Sequence, residues 1–125
     1  MTTMNALNQT LSDLHVRAAI EASAIVSRNG VLITANAPKD ASLFAAMAAT
    51  MLGAAEITAE GLHRKVPDRM IVESRYGRLI VTGAGRKMLL ATLINPNTNL
   101  GMVLVEIEKT TENIVNIVER IRKLN

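Results

Sequence analysis

Ala41-Ser-Leu-Phe-Ala-Ala-Met-Ala-Ala-Thr-Met-Leu-Gly-Ala-Ala55 carries no charged side chain, in a sequence that is 20% charged overall. It is built mostly of strong helix formers, and the helix is expected to continue to about Leu62. On a wheel of about 100° per residue, Ile57, Leu43, Met47, Met51, Phe44, Leu62 and Leu52 cover an arc of roughly 220°, whereas a surface helix needs an apolar stripe of little more than about 100°. The remaining arc holds Ala45, Ala46, Ala49 and Gly53, with Ser42, Thr50, Glu56 and Glu60 around them. That side is flat enough for a second helix to approach closely. The segment therefore reads as a helix covered twice, by its own fold and by a partner chain. The plainer alternative is an alanine-rich face left in water, which costs little because alanine is small.

The chain has 125 residues, which fits one domain over 1–125 able to bury about 65–70% of its unfolded surface. Hydrophobic residues make up 49% and aromatic residues only 2%, Phe44 and Tyr76, so aliphatic side chains, alanine and methionine must fill the core. With no cysteine there are no disulfides, thiolate nucleophiles or cysteine metal sites. Neither a signal-peptide pattern nor an apolar run of about 20 residues is visible, so a soluble cytoplasmic protein without membrane attachment is expected. The net charge of +3 is unevenly spread. Residues 60–90 hold seven basic side chains (Arg64, Lys65, Arg69, Arg75, Arg78, Arg86, Lys87) against three acidic ones (Glu60, Asp68, Glu73).

Working outward from the central helix, Met4, Leu7, Leu11 and Leu14 mark one face of a first helix over Thr3–Val16. Ile20–Val26 reads as a strand. Ser27-Arg28-Asn29-Gly30 is a turn, since Asn-Gly between apolar runs is a strong hairpin signal. Val31–Ala35 is the return strand, and Asp40 is placed to cap the central helix. Strands are expected at Arg69–Ser74, Arg78–Thr82 and Lys87–Ile94, with turns at Arg75-Tyr76-Gly77 and Gly83-Ala84-Gly85. Met88-Leu-Leu-Ala-Thr-Leu-Ile94 is apolar without alternation, which marks a central strand covered on both faces. In the last segment Val103, Val105 and Ile107 alternate like a strand, but Leu100, Val103, Ile107, Ile114, Ile117 and Ile121 follow helical spacing. One helix over Thr98–Leu124, with caps among Asn97-Thr98-Asn99, is expected. Short turns require antiparallel neighbours within each group of strands.

Chemistry-bearing patterns are sparse. Ser12, Asp13 and His15 lie within one helical turn and fan out around it, so they cannot easily form a nucleophile, base and orienter. His15 and His63 are the only imidazoles, too few for a zinc site. Gly83-Ala84-Gly85-Arg86-Lys87 leads into a strand, whereas a phosphate loop opens a helix; a hairpin turn flanked by solvated cations explains it. The basic 60–90 stretch could follow a nucleic-acid backbone, but Tyr76 is its only stacking aromatic. A solvated rim or a contact for an acidic protein patch is the better account. No catalytic residue, cofactor or metal is expected.

Several pieces, in this order, resemble the roadblock / dynein light chain family, and its stand-alone archaeal and bacterial members most. They are Glu21-Ala-Ser-Ala-Ile-Val-Ser-Arg-Asn-Gly30, Phe44-Ala-Ala-Met-Ala-Ala-Thr-Met-Leu-Gly-Ala-Ala-Glu56, Ile71-Val-Glu-Ser74, Gly77-Arg-Leu-Ile-Val81 and Asn99-Leu-Gly-Met-Val103. The resemblance implies an α+β fold: a five-stranded antiparallel sheet in the order α-β-β-α-β-β-β-α. The middle helix lies on one face and the terminal helices on the other. It also implies a homodimer through the middle helix and the strand at Arg69–Ser74, and a non-enzymatic role beside a small Ras-like GTPase. Members differ in whether they stimulate hydrolysis, join exchange assemblies or act as adaptors.

On this basis the expected dimer interface is Ala45, Ala49, Leu52, Gly53 and Glu56 from the helix, with Met70, Val72 and Glu73 from the strand. Arg64, Lys65 and Arg75 are candidate GTPase contacts by charge alone. The partner in the dimer is a second copy or a paralogue. The alternatives are a dimeric scaffold with no nucleotide-dependent partner and, with less support, nucleic-acid binding through residues 60–90.

Overall fold

The computed structural model describes residues 2–37, 41–61, 68–75 and 77–124, apart from the side chains of 41–45 and 121–124. Its elements are α1 (Thr3–Arg17), β1 (Ile20–Ser27), β2 (Leu32–Asn36), α2 (Ala41–Gly61), β3 (Arg69–Glu73), β4 (Arg78–Ala84), β5 (Met88–Ile94) and α3 (Leu100–Leu124). This is the element order expected from the sequence. The strands form one antiparallel sheet in the order β2-β1-β5-β4-β3. β5 is central, as its unbroken apolar run requires. Leu89 and Ala91 face α2, while Leu90 and Ile94 face the terminal helices.

Both terminal helices are capped by their own sequence. The Thr2 hydroxyl accepts from the Asn5 N–H at 3.1 Å, and Asn99 Oδ1 accepts from the Met102 N–H at 3.1 Å. The caps settle the start of α3, and burial settles its type. Val103 and Ile107 are buried while Val105 is exposed, whereas a strand would put all three on one face. The expected Asp40 cap of α2 lies outside the described residues. At the β4–β5 connection the strand runs two residues further than expected, through Gly83 and Ala84. The turn is Gly85-Arg86-Lys87, with Gly85 at a left-handed φ of 76°.

The two faces of the sheet are unequally covered. Against α1 and α3, Leu7, Leu11, Leu14, Val103, Ile107 and Ile114 pack on Ile25, Ile80, Leu90 and Ile94. On the other face α2 gives Ala48, Ala49 and Leu52 to a cluster with Ala24, Val26, Val81, Leu89 and Ala91. Fully burying a leucine is worth about 1.5–3 kcal/mol, and alanine far less. Among the described side chains of this 21-residue helix, the fully enclosed seat is one leucine and two alanines.

The β1–β2 loop explains why Ala46 and Ala49 are small. Gly30 has a left-handed φ of 90°, and a Cβ built there would stand 3.6 Å from Ala46 Cα and 3.8 Å from the Ala49 methyl. The loop tip rests on the helix backbone. Its Gly30 N–H donates to the Ser27 carbonyl at 3.0 Å and the Ser27 N–H to the Val31 carbonyl at 2.9 Å, a three-residue loop ending in a left-handed glycine.

Candidate partner-binding face

The outer side of α2 exposes large apolar side chains. Ile57 is 71% and Met47 52% exposed. Ala46, Thr50, Ala54 and Thr58 share the arc and are also exposed. The two hydroxyls turn back on the helix: Thr50 donates to the Ala46 carbonyl at 2.8 Å and Thr58 to the Ala54 carbonyl at 2.9 Å. They therefore show methyl groups outward and make little demand on solvent. α2 has no basic residue and two acidic ones: Glu56 is engaged by Arg28, and Glu60 is exposed near the C-terminal end.

Beside this helix lies the edge strand β3. Strand alternation and packing put Met70, half-buried against the α2-side cluster, and Val72, 42% exposed, on the same side of the sheet as α2. β3 pairs with β4 in unbroken register from Arg69↔Thr82 to Glu73↔Arg78. The opposite edge differs: β2 meets β1 with a register shift between Ile25 and Val26, which puts Ile33 and Thr34 together on the α1 side. Bulges of this kind blunt an edge against pairing, and a straight edge invites it.

The structure divides the expected interface residues. Ala49 (8% exposed) and Leu52 (1%) are spent on the chain's own sheet, so they are not part of the outward surface. This corrects the helix wheel at Ala49, which it placed on the partner side, and at Met47 and Ile57, which it placed on the opposite arc; Leu52 is buried and Ala46 exposed as the wheel had them. The reason is volume at Ala49: the Gly30 loop lies against it and Val81 and Leu89 fill the cluster below, so a small side chain fits there while Leu52 packs further along the helix. Gly53 is half-buried, with nothing within 4 Å of a built Cβ. Glu56 is half-buried and ion-paired to Arg28. Glu73 alternates to the other side of the sheet from Met70 and Val72, where it pairs with Arg78 at 3.2 Å. Ala45 lies on α2, but its side chain is outside the described set, as are Arg64 and Lys65 altogether. Arg75 is exposed at the β3–β4 turn.

The remaining motifs resolve into structural roles. His15 Nε2 lies 2.8 Å from the hydroxyl of Ser23, which is fully buried on β1, while Asp13 accepts from Gln9 Nε2 at 2.8 Å. Burial holds the His15 imidazole below its ordinary value of 6.5. The nearby Ser12 takes no part in this pairing and is exposed, and Ser23 is shut away from any substrate. The five described cations of the basic stretch separate: Arg69, Arg86 and Lys87 collect at one end of the sheet, Arg75 and Arg78 at the other. These described cations do not form one continuous track. No described helix is long and apolar enough to cross a membrane.

Comparison with known proteins agrees with this architecture. An uncharacterised protein of Methanocaldococcus jannaschii, MJ1340, is 28% identical over 110 residues, covering 86% of this chain and 96% of its own. The structure of Myxococcus xanthus MglB superposes with a TM-score of 0.88 at 22% identity, covering 94% of this chain and 90% of that one. A second MglB structure, described as having a tetrameric arrangement, gives 0.88 at 18% identity over 96% and 93%. The sequence profile of the Roadblock/LC7 domain matches residues 7–94, well over half of the length, and the chain belongs to the Roadblock/LC7 family.

Proposed function

We propose that this chain is a non-enzymatic homodimeric regulator that binds a small Ras-like GTPase and modulates its nucleotide cycle. The observation that carries the reading is the outer stripe of α2, Met47 to Ile57, beside an unblunted edge strand bearing Val72. The face that needs cover and the edge able to pair lie on the same side of the sheet. A second copy related by a two-fold axis would satisfy both with one isologous contact. Family membership and the tetrameric arrangement described for one MglB structure support self-association. Two α2 helices side by side would then offer a GTPase a composite surface that no single chain has. The chain would act there by holding the partner's own switch segments, in the cytoplasm. Arg75, Arg64 and Lys65 remain candidate contacts to that partner.

The test has two parts. Multi-angle light scattering of the purified chain is expected to give a dimer mass. Immobilised dimer is expected to retain a Ras-like GTPase from the same organism with a preference between its GTP- and GDP-loaded forms. Equal retention of both forms would leave a scaffold instead of a regulator, and no retention would remove the GTPase altogether.

A further inference from the structure

Arg28 belongs to the β1–β2 loop, yet its side chain leaves it. Its backbone N–H donates to the Lys87 carbonyl at 3.0 Å, and Nη2 donates to the Gly85 carbonyl at 2.9 Å, tying the loop to the β4–β5 turn. Nη1 meets the Glu56 carboxylate on α2. One guanidinium thus joins three elements. Room for it comes from Gly83 on β4, where a Cβ would stand 2.8 Å from Nη2. Gly83 has no left-handed φ, so the space under the guanidinium, and not the backbone, calls for glycine there. Nε is buried without a hydrogen-bond partner among the described residues, an unfavourable placement that the two Nη contacts must outweigh.

We infer that Arg28 is a positioning residue: it clasps α2 to the end of the sheet and so sets how the stripe from Met47 to Ile57 is presented to a second copy. The inference rests on the α2 dimer proposed above. Over the described part of the helix, a seat of Ala48, Ala49 and Leu52 gives little resistance to rolling, because alanines have little shape to interlock. A roll of about 20° moves the outer side chains by about 2 Å at a helix radius of about 5–6 Å, enough to spoil a packed contact. A directional, charge-assisted contact on the C-terminal half of the helix stops that roll. Both partners are about two-thirds or more shielded, so water screens them less than a surface pair.

Gly83→Ala tests this without altering Arg28, Glu56 or α2. The added methyl displaces the flexible end of Arg28, and alanine is otherwise easily tolerated in a strand. Sedimentation of the full chain over a concentration series would compare wild type, Gly83→Ala, Arg28→Ala and the double variant. Each single change is expected to weaken dimerisation about tenfold, the effect of one charge-assisted hydrogen bond. Gly83→Ala is expected to add nothing once Arg28 is gone. An equal effect of Gly83→Ala in both backgrounds, or none in wild type, overturns the clasp while leaving the dimer intact. A wild-type chain that is monomeric throughout removes the dimer reading and this inference with it. If Gly83→Ala does not fold, Glu56→Gln takes its place in the cycle, keeping shape and removing charge.

Discussion

Leu52 and Ile57 are both aliphatic and five positions apart on α2, yet they do opposite work. Leu52 is fully buried under the helix, so Leu52→Ala should cost about 2–4 kcal/mol in urea unfolding through lost burial and a cavity. Ile57 points away, so Ile57→Arg should leave the stability of the isolated chain within about 0.5 kcal/mol. It should nonetheless split the dimer, because a long cation in a desolvated contact is left without a partner. Light scattering that finds an unchanged mass for Ile57→Arg would show that this stripe is not the contact. Ala49→Arg is a poor probe of association: Ala49 is buried beside the Gly30 loop, and the change would unseat α2 itself. His15 gives a pH dependence of known sign. Its folded-state pKa is lowered by burial, so the unfolded chain binds more protons as pH falls below about 6.5. Stability is therefore expected to fall from pH 7.5 toward pH 5.5, and His15→Gln should flatten part of that slope in parallel urea titrations. An unchanged slope would place the effect on other groups.

The two edge strands make a matched comparison. Val72→Lys puts a charge on the α2 side of the straight edge β3, where pairing with a second copy would bury it; dimerisation should weaken at least tenfold by sedimentation, at about the cost of desolvating one lysine. Asn36→Lys at the end of the bulged edge β2 should change the mass not at all. The opposite ranking would assign the contact to the other edge. Much of this layout was legible in the sequence, because it depends on local chemistry: Asn29-Gly30 set the first hairpin, the unbroken apolar run of β5 set its central place, and Asn99 with the spacing of Val103, Ile107 and Ile114 fixed α3 as a helix. What could not be read was which way Ala49, Met47 and Ile57 face. A wheel ranks side chains by hydrophobicity, but the seat at Ala49 was decided by volume, by how much room Val81, Leu89 and the hairpin tip leave. The bulge that blunts β2 and the reach of Arg28 to Glu56, 28 positions away, leave no periodic trace either. Gly83 would have been a hint, since a glycine inside a strand signals a close approach by something else, but the sequence placed it in the turn and only the structure puts it in β4.

The described core is lopsided: one face of the sheet is buried under two helices rich in leucine and isoleucine, the other under a helix that turns Met47 and Ile57 outward. If α2 reaches full stability only against a second copy, folding and association are linked, and apparent stability must depend on protein concentration. For a chain that unfolds from dimer to separated monomers, each tenfold rise in concentration adds about 1.4 kcal/mol of dimer. The melting temperature of wild type should therefore climb steadily across a hundredfold range, followed by circular dichroism in cells of matched path length. Ile57→Arg should show a flat line at the low-concentration wild-type value, since it removes the association and leaves the seat of α2 unchanged. Hydrogen exchange adds the location: amides of α2 should slow with rising concentration, while those of β5 and α3, already enclosed by their own chain, should not. A wild-type melting temperature indifferent to concentration, with α2 amides exchanging at one rate throughout, would mean that the helix is content with its own seat and that the outer stripe serves some contact other than a second copy.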